Sequence, residues 1–302
     1  MVSESKSGPQ PESTDSGIIS LGSSWRGWGA IKNIVVFGDS YSDVGTAYNP
    51  RREPCPTPEE PLGVPFPGTT FAEEGQPNWL GHLISAPLNG SAERLVYCYA
   101  GGGDTVNIVR GQIRGRFLRQ AGAGVAAGTW SITPENTLFC TWIGINDCGG
   151  GGTPNYNSIL TMLFLSQEEL YEAGARNFLF LDVPPAGRAP GSIAAAARTW
   201  MNEDPRIDRR AHIYAAWNTQ FAERVRMMAS KHTPEMTALL LSSHKIFTSV
   251  LDNPTVYGFE ADDVVTSGGA IWFDYLHPTS KMHEIIAKEV VSFLENVNPP
   301  TD

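Results

Sequence analysis

A serine that attacks an ester needs a base to take its proton, a group to hold that base, and donors for the oxyanion that forms. The chain supplies a candidate for each. Ser40 closes the run Ile34-Val35-Val36-Phe37-Gly38-Asp39-Ser40, just after a short apolar, β-branched stretch. A helix that follows such a strand aims its free N–H groups at incoming negative charge. Near the other end of the sequence comes Phe273-Asp274-Tyr275-Leu276-His277-Pro278. The i, i+3 spacing of Asp274 and His277 lets carboxylate and imidazole meet across one turn, so the acid can orient the base and stabilise its cation. Asn146 offers a neutral amide donor straight after a second apolar run, and Gly101-Gly102-Gly103 offers unobstructed backbone N–H groups.

Each piece has a plainer reading when taken alone. A serine after a strand is more often a turn or a cap, and a lone Asp–His pair is more often a surface pair. Triple glycine and Asn146-Asp147 are turn signals. What separates the two readings is whether the surrounding elements bring the pieces to one place.

The elements are strands alternating with helices. Ile31 to Phe37, Leu95 to Tyr99, Thr137 to Ile143, Phe178 to Val183 and Thr237 to Leu241 read as five buried strands. Asn78 to Ile84, Asn157 to Ala173, Arg209 to Lys231 and Ser280 to Asn296 read as helices, the last with Thr279 as N-cap. This alternation implies a parallel sheet covered on both faces, with the active site beyond the C-terminal strand ends. Three such ends carry Asp39-Ser40, the glycine triplet and Gly144-Ile145-Asn146-Asp147. The proline- and glycine-rich stretch 49–77 reads as a long irregular loop, of a length that is usually functional or disordered. Residues 1–24 read as a flexible tail, leaving 25–302 as a single domain.

Composition narrows the partners. The 302 residues carry a formal charge of −10, with 18% charged and 41% hydrophobic residues. That balance argues against nucleic acid and against anionic membranes, and it suits a neutral small-molecule or oligosaccharide substrate. No stretch is long and apolar enough for a membrane span, and Met1 to Ser20 lacks a signal peptide's basic start and apolar core, so the chain reads at face value as cytoplasmic. A monomer is the expectation. Cys55, Cys98, Cys140 and Cys148 show neither a CxxC pair nor zinc-ligand spacing; Cys140 reads as a small buried hydrophobe, and pairing of the others stays open. One sequon, Asn89-Gly90-Ser91, is present. His82, His212, His232, His244 and His283 have no metal-ligand spacing, and His283 is placed on the outer face of the last helix. Trp25 and Trp28 fit either a sugar-binding rim or a cover over the sheet.

Together the motifs resemble the GDSL or SGNH hydrolases. Phe37-Gly38-Asp39-Ser40-Tyr41-Ser42-Asp43 resembles their first block, Gly102-Gly103-Asp104-Thr105 their glycine block, Gly144-Ile145-Asn146-Asp147 their GxND block, and Asp274 to Pro278 their DxxHP block. The resemblance runs from 34 to 290. Cys98-Tyr99-Ala100 departs from relatives that begin the glycine block with Asn. The Gly-x-Ser-x-Gly elbow of α/β-hydrolases is absent, because Ser42 stands where its second glycine would be.

The resemblance implies an SGNH-hydrolase (flavodoxin-like) three-layer α/β/α fold with a mainly parallel five-stranded sheet. It implies Ser40 as nucleophile, His277 as base, and Asp274 as its orienter. Ser40 N–H, Gly103 N–H and the Asn146 side chain would form the oxyanion hole, with no metal or organic cofactor. Phe71 to Trp79, and Val183-Pro184-Pro185 with Gly187-Arg188, resemble the fungal acetylesterases of carbohydrate esterase family 16. Asp39, Asn78 and Trp79 are accordingly candidate substrate contacts, with core packing as the alternative for Trp79. The implied activity is hydrolysis of short, acetyl-type esters of carbohydrates or similar alcohols through an acyl-enzyme. The alternatives are a lipase, phospholipase or thioesterase for longer acyl chains, and more remotely a non-catalytic carbohydrate-binding protein of the same fold.

Overall fold

The computed structural model describes residues 15–46, 53–85, 93–127, 131–149, 155–199 and 210–301. Six strands form one sheet: β1 (Gly17–Ser20), β2 (Asn33–Gly38), β3 (Leu95–Cys98), β4 (Thr137–Trp142), β5 (Asn177–Leu181) and β6 (Thr237–Leu241). Their order is β1-β6-β5-β4-β2-β3. β2 to β6 are parallel, in register from Asn33 opposite Leu95 and Thr137 to Asn177 opposite Thr237. Every residue of β2, β4, β5 and β6 is buried, as expected of parallel strands covered on both faces.

The helices are α1 (Trp79–Ile84), α2 (Val106–Arg110), a π-helical segment (Gly111–Phe117), α3 (Leu118–Ala127), α4 (Ile145–Gly149), α5 (Asn157–Glu172), α6 (Pro190–Thr199), α7 (Ala211–Lys231), α8 (Ser243–Asp252) and α9 (Ser280–Glu295). They pack in two groups, α1 and α8 against α9, and α2 and α7 against α5, with the sheet between. Asn78 caps α1 by accepting N–H bonds from Leu80 and Gly81, and the Thr279 hydroxyl caps α9 by accepting from Met282.

The parallel strands follow the doubly wound order in which β2 lies between β3 and β4. Chain order reverses at the β2/β4 pair, the crevice where such sheets place their ligands. The C-terminal ends of β3, β2 and β4 carry the glycine triplet, Ser40 and Asn146, so the three candidate blocks are set side by side.

Several sequence expectations need correction. The sheet has six strands rather than five, because β1 lies inside the segment read as a tail and pairs antiparallel with β6. Polar contacts add to the packing of Ile19 on the core: Ser20 Oγ donates to Met236 O at 2.7 Å, and the Ser242 N–H donates to Ser16 Oγ at 2.9 Å. A reading based on apolar burial misses a strand held by the unpaired backbone of an edge. Trp25 and Trp28 are buried; Trp25 Nε1 donates to Val297 O at 2.9 Å and the Arg94 guanidinium covers Trp28, so neither forms a sugar-binding rim. His283 is buried, not outward-facing. It sits in the stripe of α9 that continues through Ile286, Ala287, Val290 and Leu294, the i, i+3, i+7 spacing of a core face.

Of the long loop, residues 53–77 contain neither helix nor strand, as expected. All four cysteines are free thiols, with Cys140 fully in the core. The sequon at Asn89 and residues 1–14 lie outside the described residues. No helix among those described is long and apolar enough to cross a membrane.

Candidate active site

The turn after β2 presents Ser40. The Asp39 carbonyl accepts from the N–H groups of Ser42 and Asp43 at 3.0 and 3.1 Å, and Asp39 Oδ1 accepts from the Tyr41 N–H at 3.1 Å. These bonds tighten the backbone around Ser40 and leave its own N–H without a partner among the described residues. Gly38 is required just before the turn: a Cβ there would lie 2.4 Å from the Trp142 carbonyl oxygen of β4.

The loop before α9 brings His277 to the serine. His277 Nε2 lies 2.9 Å from Ser40 Oγ, and His277 Nδ1 lies 2.8 Å from Asp274 Oδ2. With the proton on Nδ1 donated to Asp274, the Nε2 lone pair faces the serine hydroxyl, as a general base requires. Asp274 Oδ1 accepts from the N–H groups of Leu276 and His277, each at 2.7 Å. Partial burial pushes the Asp274 carboxyl up, but the His277 N–H, the His277 imidazole and the Leu276 N–H outweigh it and hold the group below its usual range. The serine and histidine loops are tied by Tyr41, whose hydroxyl donates to Leu276 O at 2.8 Å. The Phe71 ring, from the long loop, packs 4.8 Å from the imidazole.

Two further donor candidates lie at the neighbouring strand ends, Gly103 after β3 and Asn146 after β4. Gly103 has φ +79°, a left-handed backbone that suits glycine, and its N–H has no partner among the described residues. The Gly102 N–H is occupied, donating to Asp43 Oδ2 at 2.9 Å, which favours Gly103 over Gly102 as the free donor. The Asn146 amide donates one proton to the Asp104 carbonyl at 2.8 Å, locking the end of β4 to the glycine block and leaving its second proton available.

Gln112 holds this arrangement from behind, and the sequence reading missed it. It sits in the π-helical segment, buried; Oε1 accepts from the Gly38 N–H at 3.0 Å, while Nε2 donates to Gly38 O at 2.8 Å and to Asp104 Oδ2 at 2.7 Å. One side chain thus joins β2, just before Ser40, to the glycine block. No spacing rule marks such a residue, although π-helical insertions gather at functional sites.

The carboxyls behind Ser40 are perturbed. Burial, opposed by the Tyr41 N–H and reinforced by the Asp147, Asp104 and Asp43 carboxyls, pushes Asp39 up to about 8. Asp147 is pushed up to about 6, again chiefly by burial, while both its oxygens accept from the Val106 N–H at 3.3 Å. That bond caps α2, whose N-cap Thr105 makes no side-chain bond of its own. Asp182 is also structural, accepting from the Ser242 hydroxyl at 2.7 Å and the His244 N–H at 2.9 Å.

The three candidate substrate contacts turn inward. Trp79 and Asn78 have no exposed surface, and Asp39 is only 3% exposed. Trp79 Nε1 donates to Ser42 Oγ at 3.0 Å, and Asn78 Nδ2 donates to Asp43 O at 2.9 Å. Asn78 and Trp79 brace the turn that carries Ser40 and do not line a surface that substrate can reach, while the Asp39 carboxyl is turned to the Tyr41 N–H. Cys98 donates its thiol to Ser42 O at 3.1 Å and so serves the same turn. Among the described residues, no group of three His, Cys, Asp or Glu side chains is placed to hold a metal ion.

Residues 34–290, from the nucleophile strand to within α9, match the model of the GDSL-like lipase/acylhydrolase family. The chain belongs to that family. A curated acetylesterase from Thermothelomyces thermophilus is 31% identical over 284 residues, covering 86% of this chain and 87% of the relative. A thermolabile hemolysin from Vibrio parahaemolyticus is 23% identical over 306 residues, covering 88% of this chain and 65% of the relative. Among solved structures, a catalytic mutant of an acetylxylan esterase from Geobacillus stearothermophilus matches with a TM-score of 0.49 at 14% identity, covering 90% of this chain and 97% of the other. A lipase/acylhydrolase from Enterococcus faecalis matches with a TM-score of 0.48 at 14% identity, covering 90% and 100%. This GDSL-family chain is therefore a carboxylic ester hydrolase.

Proposed function

We propose that Ser40, His277 and Asp274 form the catalytic triad of a serine esterase that removes acetyl or similarly short acyl groups from a carbohydrate or related alcohol. The observation that carries the reading is the continuous contact from Asp274 Oδ2 through both imidazole nitrogens to Ser40 Oγ, at 2.8 and 2.9 Å. The acetyl preference draws its support from the acetylesterase relative.

In this mechanism Ser40 Oγ attacks the acyl carbonyl carbon while His277 Nε2 takes the hydroxyl proton. The carbonyl π electrons move to oxygen, and the oxyanion is held by the Ser40 and Gly103 N–H groups and the Asn146 amide. Each such donor contributes ~100- to 1,000-fold in rate. The tetrahedral adduct collapses as its bond to the alcohol oxygen breaks and His277 returns the proton to that oxygen. Water then attacks the acyl-Ser40 ester with His277 again as base, releasing the carboxylic acid. Asp274 keeps the imidazole in the tautomer that accepts from serine, without itself taking a proton.

The test is acetate release from acetylated xylo-oligosaccharides, wild type beside Ser40→Ala, with a chain-length series of nitrophenyl esters. Acetate release that vanishes in Ser40→Ala, together with a sharp fall beyond butyryl, is the expected result. Preference for long chains would overturn the acetyl assignment in favour of a lipase. A wild type that is inert and is not labelled by an organophosphate would overturn the catalytic reading and leave a carbohydrate-binding role.

A further inference from the structure

A cleft of about 300 Å³ opens beside the triad, at the small end of the range for ligand sites. Its described walls include Ile145 and Asn146 at the start of α4, Ala195 on α6, Tyr214 on α7, and Tyr275 and Leu276 just before the base. One wall is thus the amide proposed to hold the carbonyl oxygen, and another is the pair of residues leading directly into His277.

We infer that this cleft is the subsite for the alcohol half of the ester, that the alcohol is a polyhydroxylic ring, and that the exposed Tyr275 ring is its stacking wall. This deepens the esterase reading above and rests on it. In acyl transfer the departing alcohol oxygen receives its proton from the base, so it must lie within ~2.6–3.2 Å of His277 Nε2. An ester whose carbonyl oxygen points at Asn146 and whose alkoxy oxygen sits at His277 directs whatever follows that oxygen into the space between them. Phe71 and Tyr41, the other two rings packed on His277, do not line this space.

The walls suit a ring with an apolar face and a hydroxylated edge. Most of the lining is apolar, with Asn146, Ser192, Arg210 and Tyr214 as its polar members, the Ser192 hydroxyl donating to Ala186 O at 2.8 Å. Tyr275 is 62% exposed, with its ring 6.4 Å from that of His277. An aromatic ring in that position presents an apolar body and a polar tip. It is also fixed in place. The Gly191 N–H at the start of α6 donates to Tyr275 O at 2.8 Å. A Cβ at Gly191 would lie 3.0 Å from both that oxygen and the Tyr275 ring. Backbone contact this close leaves the loop little freedom, so the aromatic wall is preorganised before substrate arrives.

The experiment uses the full chain and two variants, Ala195→Trp to fill the cleft and Tyr275→Ala to remove the wall. The probes are acetylated xylobiose, methyl acetate and methyl hexanoate, with 4-nitrophenyl acetate for pre-steady-state bursts. In both variants the ratio of kcat/KM for acetylated xylobiose to that for methyl acetate should fall about tenfold. The ratio for methyl hexanoate to methyl acetate should not fall. In Tyr275→Ala the loss should appear in acylation by the sugar ester and not in breakdown of the acetyl-enzyme, from which the alcohol has already gone. A merely structural role would slow both steps. A selective loss on methyl hexanoate would overturn the inference by showing that the cleft takes the acyl chain, and unchanged ratios would overturn it by showing that the cleft is unused. If Ala195→Trp fails to fold, Tyr275→Ala, at an exposed side chain, decides alone. A wild type inactive on every ester would instead refute the esterase reading beneath it.

Discussion

Replacing Gln112 with methionine keeps the side chain's length and removes its hydrogen bonds. Three contacts disappear: the one accepted from the Gly38 N–H at 3.0 Å, and those donated to Gly38 O at 2.8 Å and Asp104 Oδ2 at 2.7 Å. Gly38 O keeps a long bond from the Gly101 N–H at 3.4 Å, but the Gly38 N–H is left buried and unpaired. An orphaned buried donor costs ~1–3 kcal/mol and each lost bond ~1 kcal/mol, so a net destabilisation of about 3 kcal/mol is expected. For a chain of this size that lowers Tm by roughly 6–12 °C. The catalytic effect follows from Asp104, whose carbonyl anchors Asn146 at 2.8 Å and whose N-terminal neighbour is Gly103. Loosening it displaces two of the three proposed oxyanion donors, which act in the transition state. The loss should therefore fall on kcat, about tenfold, with KM little changed. Thermal melts and steady-state kinetics on a short nitrophenyl ester measure both quantities. A Gln112→Met protein that melts with wild type and keeps its kcat would refute the view that this side chain couples the nucleophile strand to the glycine block.

Asp274→Asn should leave the fold intact and lower kcat by ~10³- to 10⁴-fold, because an amide can donate to Nδ1 and turn the imidazole into the wrong tautomer; native circular dichroism with near-normal kcat would refute the assignment. His283 is buried with Nδ1 unpartnered, and burial, with the His82 and His277 charges, depresses it to about 3. Its proton is therefore bound in the unfolded chain but not in the folded one between about pH 6.5 and 3, so stability is full above that window and falls as pH drops into it, by ~1.4 kcal/mol per unit at most. Chemical denaturation at pH 7 and pH 5 should show a shallower loss in His283→Phe than in wild type, and equal losses would count against the burial argument.

The sheet was legible because its parallel strands are continuous apolar runs, and the catalytic candidates were legible because each sits where such a run ends. Thr237 to Leu241 is bounded in the structure as the sequence reading places it. What the sequence hid falls into two kinds. β1 and Gln112 are held by polar contacts to distant backbone, which leave no periodic trace. Asn78 and Trp79 reach the turn that carries Ser40 from 35 and 37 residues along the chain, yet they face the core, because packing decides which way a side chain turns. His283 is different, since its spacing from Ile286 and Val290 already placed it on the buried stripe of α9, and polarity alone argued otherwise.

The hydrogen bond between His277 and Ser40 joins positions 237 residues apart. A ribosome therefore releases the serine long before it makes the base that would activate it. A nascent or C-terminally truncated chain lacks that base however well its first strands have formed, and the hydroxyl stays an ordinary, unreactive alcohol. With the triad proposed above, turnover requires a chain that extends past His277, which makes an ester assay a measure of synthesis as well as of chemistry.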